Sequence, residues 1–284
     1  MRKDNSALQV LVVKKAGFCF GVRRAIKIAS DAAKKSKSRV YTLGPLIHNP
    51  QVVEDLARKG VDVAKGIPLS GGTVIIRSHG IHPEILDRIK AKSISIVDAT
   101  CPFVKKAQQK AALLQREGYQ VIVVGEKNHP EVQGIVGYAK GKAVVINQNG
   151  HFPDLSEFKK IGVVAQTTYN FDAFCKLACR LLRSAKEVKI FNTICNVTAD
   201  AQRSTLGLAR RVDLMIVVGG HNSANTSRLT ELCREAGRRT YHIETKKELK
   251  ESWFRKASKV GITAGTSTPD WIIKEVVQKI KQIK

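Results

Sequence analysis

The stretch VDATCPFV (97–104) joins an apolar run, SISIV (93–97), to a long helical pattern that opens at Pro102. Proline is tolerated in the first turn of a helix, where its missing N–H has no intrahelical acceptor anyway. Cys101 therefore falls where a strand ends and a helix begins. A thiolate there meets unpaired backbone N–H groups and the positive end of the helix dipole, which lower its pKa and suit it to holding a metal. Two other stretches echo this one: KKAGFCFGVRRA (14–25) around Cys19 and KIFNTICNVTAD (189–200) around Cys195.

The echo divides the chain into three units, 1–96, 97–190 and 191–284, each with one of these cysteines. In the first, LQVLVV (8–13) leads to Cys19, and a helix spans Gly21 to about Lys35. RVYTLG then enters GPLIHNP (44–50), a helix covers Pro50 to Arg58, and TVIIRSHG (73–80) ends at His79 before the helix HPEILDRIKAK. In the second, the order repeats through a helix from Pro102 to Glu117, YQVIVVG into GEKNHPE (125–131), the short strand KAVVIN, IGVVAQTT (161–168) and the helix FDAFCKLACRLLRS. The third has EVKIF before Cys195, a helix from Asp200 to Arg211, VDLMIVVGG into GHNSANTS (220–227), a helix to Ala236, KVGITAG into TSTPD (266–270) and a closing helix.

The intervals keep register. Cys19 to His48, Cys101 to His129 and Cys195 to Asn222 are 29, 28 and 27 positions; the second polar tips, His79, Thr167 and Ser267, follow their cysteines by 60, 66 and 72. Alternating strands and helices imply parallel sheets faced by helices, with sites beyond the carboxyl ends of strands. The expected fold is α/β: three pseudo-equivalent units with small, mostly parallel sheets around a central cavity.

Bulk composition narrows the classes. No apolar run among the 284 residues approaches the ~20 of a membrane span. The apolar run before Lys14 is too short for a signal peptide, so a cytoplasmic protein is expected. Six cysteines at irregular spacings do not form a secreted disulfide framework, and no CxxC pair supports a zinc ribbon. The net charge of +25 is spread along the chain, as a solvated basic surface or as a field that attracts a phosphorylated substrate, an acidic protein or RNA.

One thiolate from each unit makes a three-cysteine site. A [4Fe–4S] cluster usually takes four cysteines; with three, one iron is left to bind substrate. Gly17 and Gly21 flank Cys19 and allow close backbone approach. Cys175 and Cys179 share a helical stripe with Phe171, Ala178 and Leu182 and are read as core; with Cys233 they are left out of the site. His48, His79 and His129 stand at strand ends, where each can donate to phosphate oxygens or ligate a metal. Ser223, Asn225 and Ser267 add neutral donors in turns before helices, as phosphate binding needs. Glu131, a carboxylate near thiolates, is costly unless protonated or hydrogen-bonded, and is the best proton donor in the set. Thr167 can position that proton. His82, His151 and His242 are read as surface or structural.

These stretches resemble the 4-hydroxy-3-methylbut-2-enyl diphosphate reductase family, the last enzymes of the methylerythritol phosphate route to isoprenoids. AGFCFGVRRAI, GPLIHNPQVVEDL, RSHG, VDATCPFV, NHPEVQGIVG, AQTT, NTIC, HNSAN and TAGTSTPD carry the resemblance, across residues 16–270. It implies a [4Fe–4S] cluster on Cys19, Cys101 and Cys195. It implies a diphosphate held by His48, His79, His129, Thr167, Ser223, Asn225 and Ser267, with Glu131, Thr167 and His129 in the catalytic set. It implies reductive loss of the allylic hydroxyl as water, giving isopentenyl and dimethylallyl diphosphate, with electrons from a ferredoxin or flavodoxin. Two departures concern the diphosphate pocket: NVTADAQRS follows Cys195, and Ala224 stands where the family usually has a second serine.

On the residues alone, two rivals remain. One is a zinc hydrolase using His48, His79 and His129 with Glu131 as base. The other is a basic nucleic-acid-binding module, against which the 6% aromatic content counts, since single-strand platforms stack bases on aromatic rings.

Overall fold

The computed structural model describes residues 8–14, 16–68, 71–92, 94–147 and 153–283; His151 lies outside them. In chain order the elements are β1 (Gln9–Val12), α1 (Phe20–Lys35), β2 (Val40–Leu43), α2 (Pro50–Arg58), β3 (Val61–Ala64), β4 (Thr73–Ile76), α3 (Pro83–Lys90) and β5 (Ser95–Asp98). There follow α4 (Pro102–Arg116), β6 (Gln120–Val124), α5 (Pro130–Tyr138), β7 (Val144–Ile146), β8 (Lys160–Ala165), α6 (Phe171–Leu181) and β9 (Glu187–Ile190). The remainder is α7 (Asn196–Ala209), β10 (Leu214–Val218), α8 (Ala224–Glu235), β11 (Arg239–Ile243), β12 (Lys259–Ala264) and α9 (Asp270–Lys281).

Among the described residues the strands form three four-stranded sheets in which every pairing is parallel: β3-β2-β4-β5, β7-β6-β8-β9 and β11-β10-β12-β1. The order is the same each time, so the threefold repeat is a property of the fold. The central strands β4, β6, β8, β10 and β12 are almost wholly buried, as parallel strands covered on both faces must be. Alternation divides their side chains between two cores. On β10, Leu214, Ile216 and Val218 meet Ile272, Val276 and Ile280 of α9, whereas Met215 and Val217 meet Leu229 and Cys233 of α8. On β6, Ile122 and Val124 meet Phe174, Leu177 and Leu181 of α6, whereas Val121 and Val123 meet Ala107, Ala111 and Leu114 of α4 and Ile135 of α5.

The chain forms two compact units. One comprises Met1–Phe20, His48–Val52 and Asn196–Lys284 and holds the sheet of β1, β10, β11 and β12; the other, Gly21–Ile47 and Val53–Cys195, holds the other two sheets. The strand leading to each cysteine is the last strand of a sheet rather than the first. β5 closes the sheet begun by β2, β9 closes the sheet begun by β6, and β1 pairs with β12 from the far end of the chain. A division at 96/97 thus cuts through β5.

Cys175 and Cys179 are a correction. Both are exposed, with Phe171 and Leu182 beside them 44% and 56% exposed. Two apolar stripes run along α6, and the bulkier one, Phe174, Leu177 and Leu181, takes the core. Cys233 is buried, and burial pushes its thiol up to about 12.

Candidate functional site

Each cysteine precedes the first residue of a helix: Cys19 before α1, Cys101 before α4 and Cys195 before α7. At Cys101 the local cause is explicit. Asp98 Oδ1 accepts the N–H of Thr100 at 2.8 Å, an Asx turn that ends β5 and presents Cys101 as the N-cap of α4, with Pro102 next. Burial raises the Asp98 pKa, but bonds from Lys105 and Thr100 outweigh it and hold the carboxyl below its usual range. Arg24 Nη1 donates to Thr100 O at 3.2 Å, tying α1 to the same turn. Asn192 repeats the device before Cys195, accepting the N–H of Ile194 at 3.2 Å. Before Cys19 that place is Ala16, and a glycine two places ahead of the cysteine makes the turn instead. Gly17 has φ +100°, and a Cβ there would stand 2.9 Å from Asp270 Oδ1 and 3.1 Å from Thr268 O.

A backbone hydrogen bond recurs at all three. The N–H of Cys19 donates to Thr266 O (3.1 Å), that of Cys101 to Ser78 O (3.0 Å) and that of Cys195 to Thr167 O (2.9 Å). This sets the register of the repeat. Ser78, Thr167 and Thr266 are equivalent, so His79 and Ser267 correspond to Thr168 rather than to Thr167. Gln166 Nε2 donates to Thr168 Oγ1 at 3.0 Å.

Within the larger unit, Glu131, Thr167, His79 and His129 come together. Glu131 lies in the first turn of α5 and is 2% exposed. The Thr167 N–H donates to its Oε1 at 2.6 Å, and the Thr167 hydroxyl to its Oε2 at 2.9 Å. Burial raises the carboxyl pKa from 4.5 to about 7, against the opposing pull of those two bonds. His129 is the N-cap of α5 and its Nδ1 accepts the Glu131 N–H at 3.2 Å. With Nδ1 accepting there, Nε2 is the ring nitrogen placed to donate. The His79 ring stands edge-on to His129, centroids 5.7 Å apart.

Within the smaller unit, His48, Ser223, Asn225 and Ser267 come together. Ser267 Oγ donates to His48 O at 3.4 Å, and a Cβ on Gly220 would stand 2.6 Å from the same carbonyl, so that approach requires glycine. Ser223 caps α8, its hydroxyl accepting the Thr226 N–H at 3.3 Å, which leaves its proton to donate. Asn225, two residues on, is 4% exposed, and neither of its side-chain polar atoms has a hydrogen-bond partner among the described residues. Orphaned polar atoms at a helix N-terminus suit an anion.

His82 and His242 are structural. His82 packs against Gly137, and His242 Nε2 bonds Gly219 O at 2.9 Å. Among the described residues no group of three or more His, Cys, Asp or Glu side chains gathers as ligands to a metal ion, and no helix is long and apolar enough to cross a membrane. Cys19, Cys101 and Cys195, none in a disulfide and each at a helix start, have the chemistry of thiolate ligands to soft metals. Sequence reasoning passed over Asp98, Asn192 and Arg24. The Asx residue three places before two of the cysteines was the readable signal for the first two; nothing marked Arg24.

Residues 10–281 match the family model described as LytB protein. The chain is 50% identical over 277 residues, 97% of this chain and 98% of the relative, to 4-hydroxy-3-methylbut-2-enyl diphosphate reductase of Geobacter metallireducens. It is 47% identical over 280 residues, 97% of each chain, to the protein of that name from Aquifex aeolicus. Among solved structures it resembles "(E)-4-Hydroxy-3-methyl-but-2-enyl Diphosphate Reductase, the Terminal Enzyme of the Non-Mevalonate Pathway" at 46% identity and TM-score 0.72, covering 97% of this chain and 100% of the other. It also resembles the Plasmodium falciparum reductase at 27% identity and TM-score 0.89, over 96% of this chain and 87% of that one.

Proposed function

The chain belongs to the LytB protein family, and from that premise we propose that it reduces 4-hydroxy-3-methylbut-2-enyl diphosphate to isopentenyl and dimethylallyl diphosphate. Two electrons and two protons are consumed and the allylic hydroxyl leaves as water. The observation that carries the mechanism is the buried Glu131, whose pKa of about 7 keeps a proton available at neutral pH.

Cys19, Cys101 and Cys195 would hold a [4Fe–4S] cluster, which when bound supplies the electrons and a Lewis-acidic iron with no cysteine of its own. The rest falls to the chain. His48, His79, His129, Ser223, Asn225 and Ser267 bind the diphosphate with side-chain donors and a helix terminus, strong enough to orient it and weak enough to release the product. Glu131 delivers a proton to the departing oxygen, and Thr167 fixes its carboxyl by gripping both oxygens. His129 fixes the first turn of α5 and with it the Glu131 backbone.

The electron donor in this reading is a ferredoxin or flavodoxin, small acidic proteins that a net charge of +25 attracts, and the setting is the cytoplasm. Three units, one per cysteine, remain the proposed organisation of the site. The test is iron, sulfide and turnover on protein purified without oxygen. About four irons and four sulfides per chain, with reductant-dependent conversion of the diphosphate, are expected. A colourless protein that stays so after anaerobic reconstitution overturns the reading.

A further inference from the structure

The sheet of β2 to β5 carries a cavity of about 420 Å³ at the carboxyl ends of its strands, and none of the residues assigned above lines it. Its size is that of a small-molecule site. Three cations converge on it: Lys65 after β3, Arg77 at the end of β4 and Arg88 on α3. No carboxylate is among its lining residues, and among the described residues none of the three cations is in an ion pair; Asp87, next to Arg88, pairs with Lys90 instead. Leu43, Ile67 and Ile81 supply apolar walls.

Arg77 is the informative member. Arg77 is half-buried, and burial lowers its pKa. Gly44, with φ +77°, makes room for it: a Cβ there would stand 2.7 Å from Arg77 Nη1. Taking a cation partly out of water beside three apolar side chains is unfavourable unless an anion joins it. Guanidinium matches a phosphate in two-pronged fashion, while Lys65 and Arg88, both exposed, draw the anion in.

We propose that this cavity is a second anion site that takes a diphosphate ester of a short hydrocarbon chain, with Arg77 on the phosphate and Leu43, Ile67 and Ile81 against the hydrocarbon. The choice of ligand rests on the proposed function, whose product is such an ester. The cavity wall continues to the turn at Cys101. Ser78, the next residue after Arg77, donates from Oγ to Leu46 O at 3.0 Å and accepts the Cys101 N–H at 3.0 Å.

The test is calorimetric titration of the holoenzyme with dimethylallyl diphosphate and, separately, inorganic pyrophosphate. The substrate site is first weakened by Asn225→Ala with Ser267→Ala, so that the tighter binding that remains reports the second cavity. One equivalent of dimethylallyl diphosphate should still bind, and pyrophosphate at least about tenfold more weakly for want of apolar contact. Adding Arg77→Met should abolish that binding. Lys65→Glu with Arg88→Glu, at exposed positions that do not threaten the fold, should weaken it at least about tenfold. No residual binding, or residual binding indifferent to all three changes, overturns the site; equal affinity for pyrophosphate overturns its hydrocarbon half. Turnover by the Asn225→Ala and Ser267→Ala protein tests the catalytic reading instead, so the two fail separately.

Discussion

Thr167 grips Glu131 twice, its backbone N–H on one carboxyl oxygen at 2.6 Å and its hydroxyl on the other at 2.9 Å. Both bonds favour the ionised carboxylate, and burial favours the protonated acid more strongly, leaving the pKa at about 7. A proton donor with that pKa loses its proton as pH rises through 7, so turnover should fall on the alkaline side. Thr167→Val removes the hydroxyl donor, raises the pKa further and moves that limb to higher pH, with turnover lower by about tenfold from lost positioning. Thr167→Ser should restore the wild-type limb. A limb that stays put in Thr167→Val would mean that another group titrates.

Glu131→Gln separates chemistry from stability. Turnover should drop on the order of 10²-fold, since the amide has no proton to give. The folded pKa of Glu131 lies above the 4.5 of the unfolded chain, so its contribution is fully present below pH 4.5 and is lost as pH rises through about 7. The loss is on the order of 3 kcal/mol for a fully buried group. Melting temperatures at pH 5 and pH 8 should therefore differ more in the wild type than in Glu131→Gln. Equal differences in the two proteins would place the titration outside Glu131.

Much of this arrangement was legible in the chain because its period is long and its cysteines mark it. The buried strands β4, β6, β8, β10 and β12 are apolar runs that read without ambiguity. The edge strands β3 (VDVA) and β11 (RTYHI) were missed. They are short and of mixed polarity, and only the analogy with KAVVIN could have supplied them. Helix α7 opens at Asn196, four residues before Asp200, because Asn, Val and Thr are weak helix formers whose placement here follows from the junction at Cys195. Spacing alone set Thr167 level with His79 and Ser267; the backbone bonds to Cys101 and Cys195 shift the match to Thr168. The two stripes of α6 could not be ranked without knowing which side the sheet lies on.

Cysteine substitutions should divide cleanly. Cys19→Ser, Cys101→Ser and Cys195→Ser should each lower cluster occupancy, read as iron per chain and visible absorption. Cys175→Ser and Cys179→Ser, at exposed positions, should leave both readings and turnover at wild-type levels. Full iron in Cys195→Ser would break the three-ligand scheme.

The first turn of α8 decides how the diphosphate is held. Asn225 keeps two polar atoms buried and, among the described residues, without partners, a state that costs roughly 1–3 kcal/mol per group until a ligand engages it. Asn225→Ala should therefore raise KM by roughly tenfold or more while leaving kcat within a few-fold, because the contact is made equally to substrate and transition state. Asn225→Asp should do worse at neutral pH, since a carboxylate would face the diphosphate. Ala224 occupies the first position of the same helix. There the backbone N–H is available whatever the side chain, so Ala224→Ser should lower KM only slightly. A tenfold gain from that one hydroxyl would show that the pocket binds phosphate through the side chain at 224 rather than through the helix terminus.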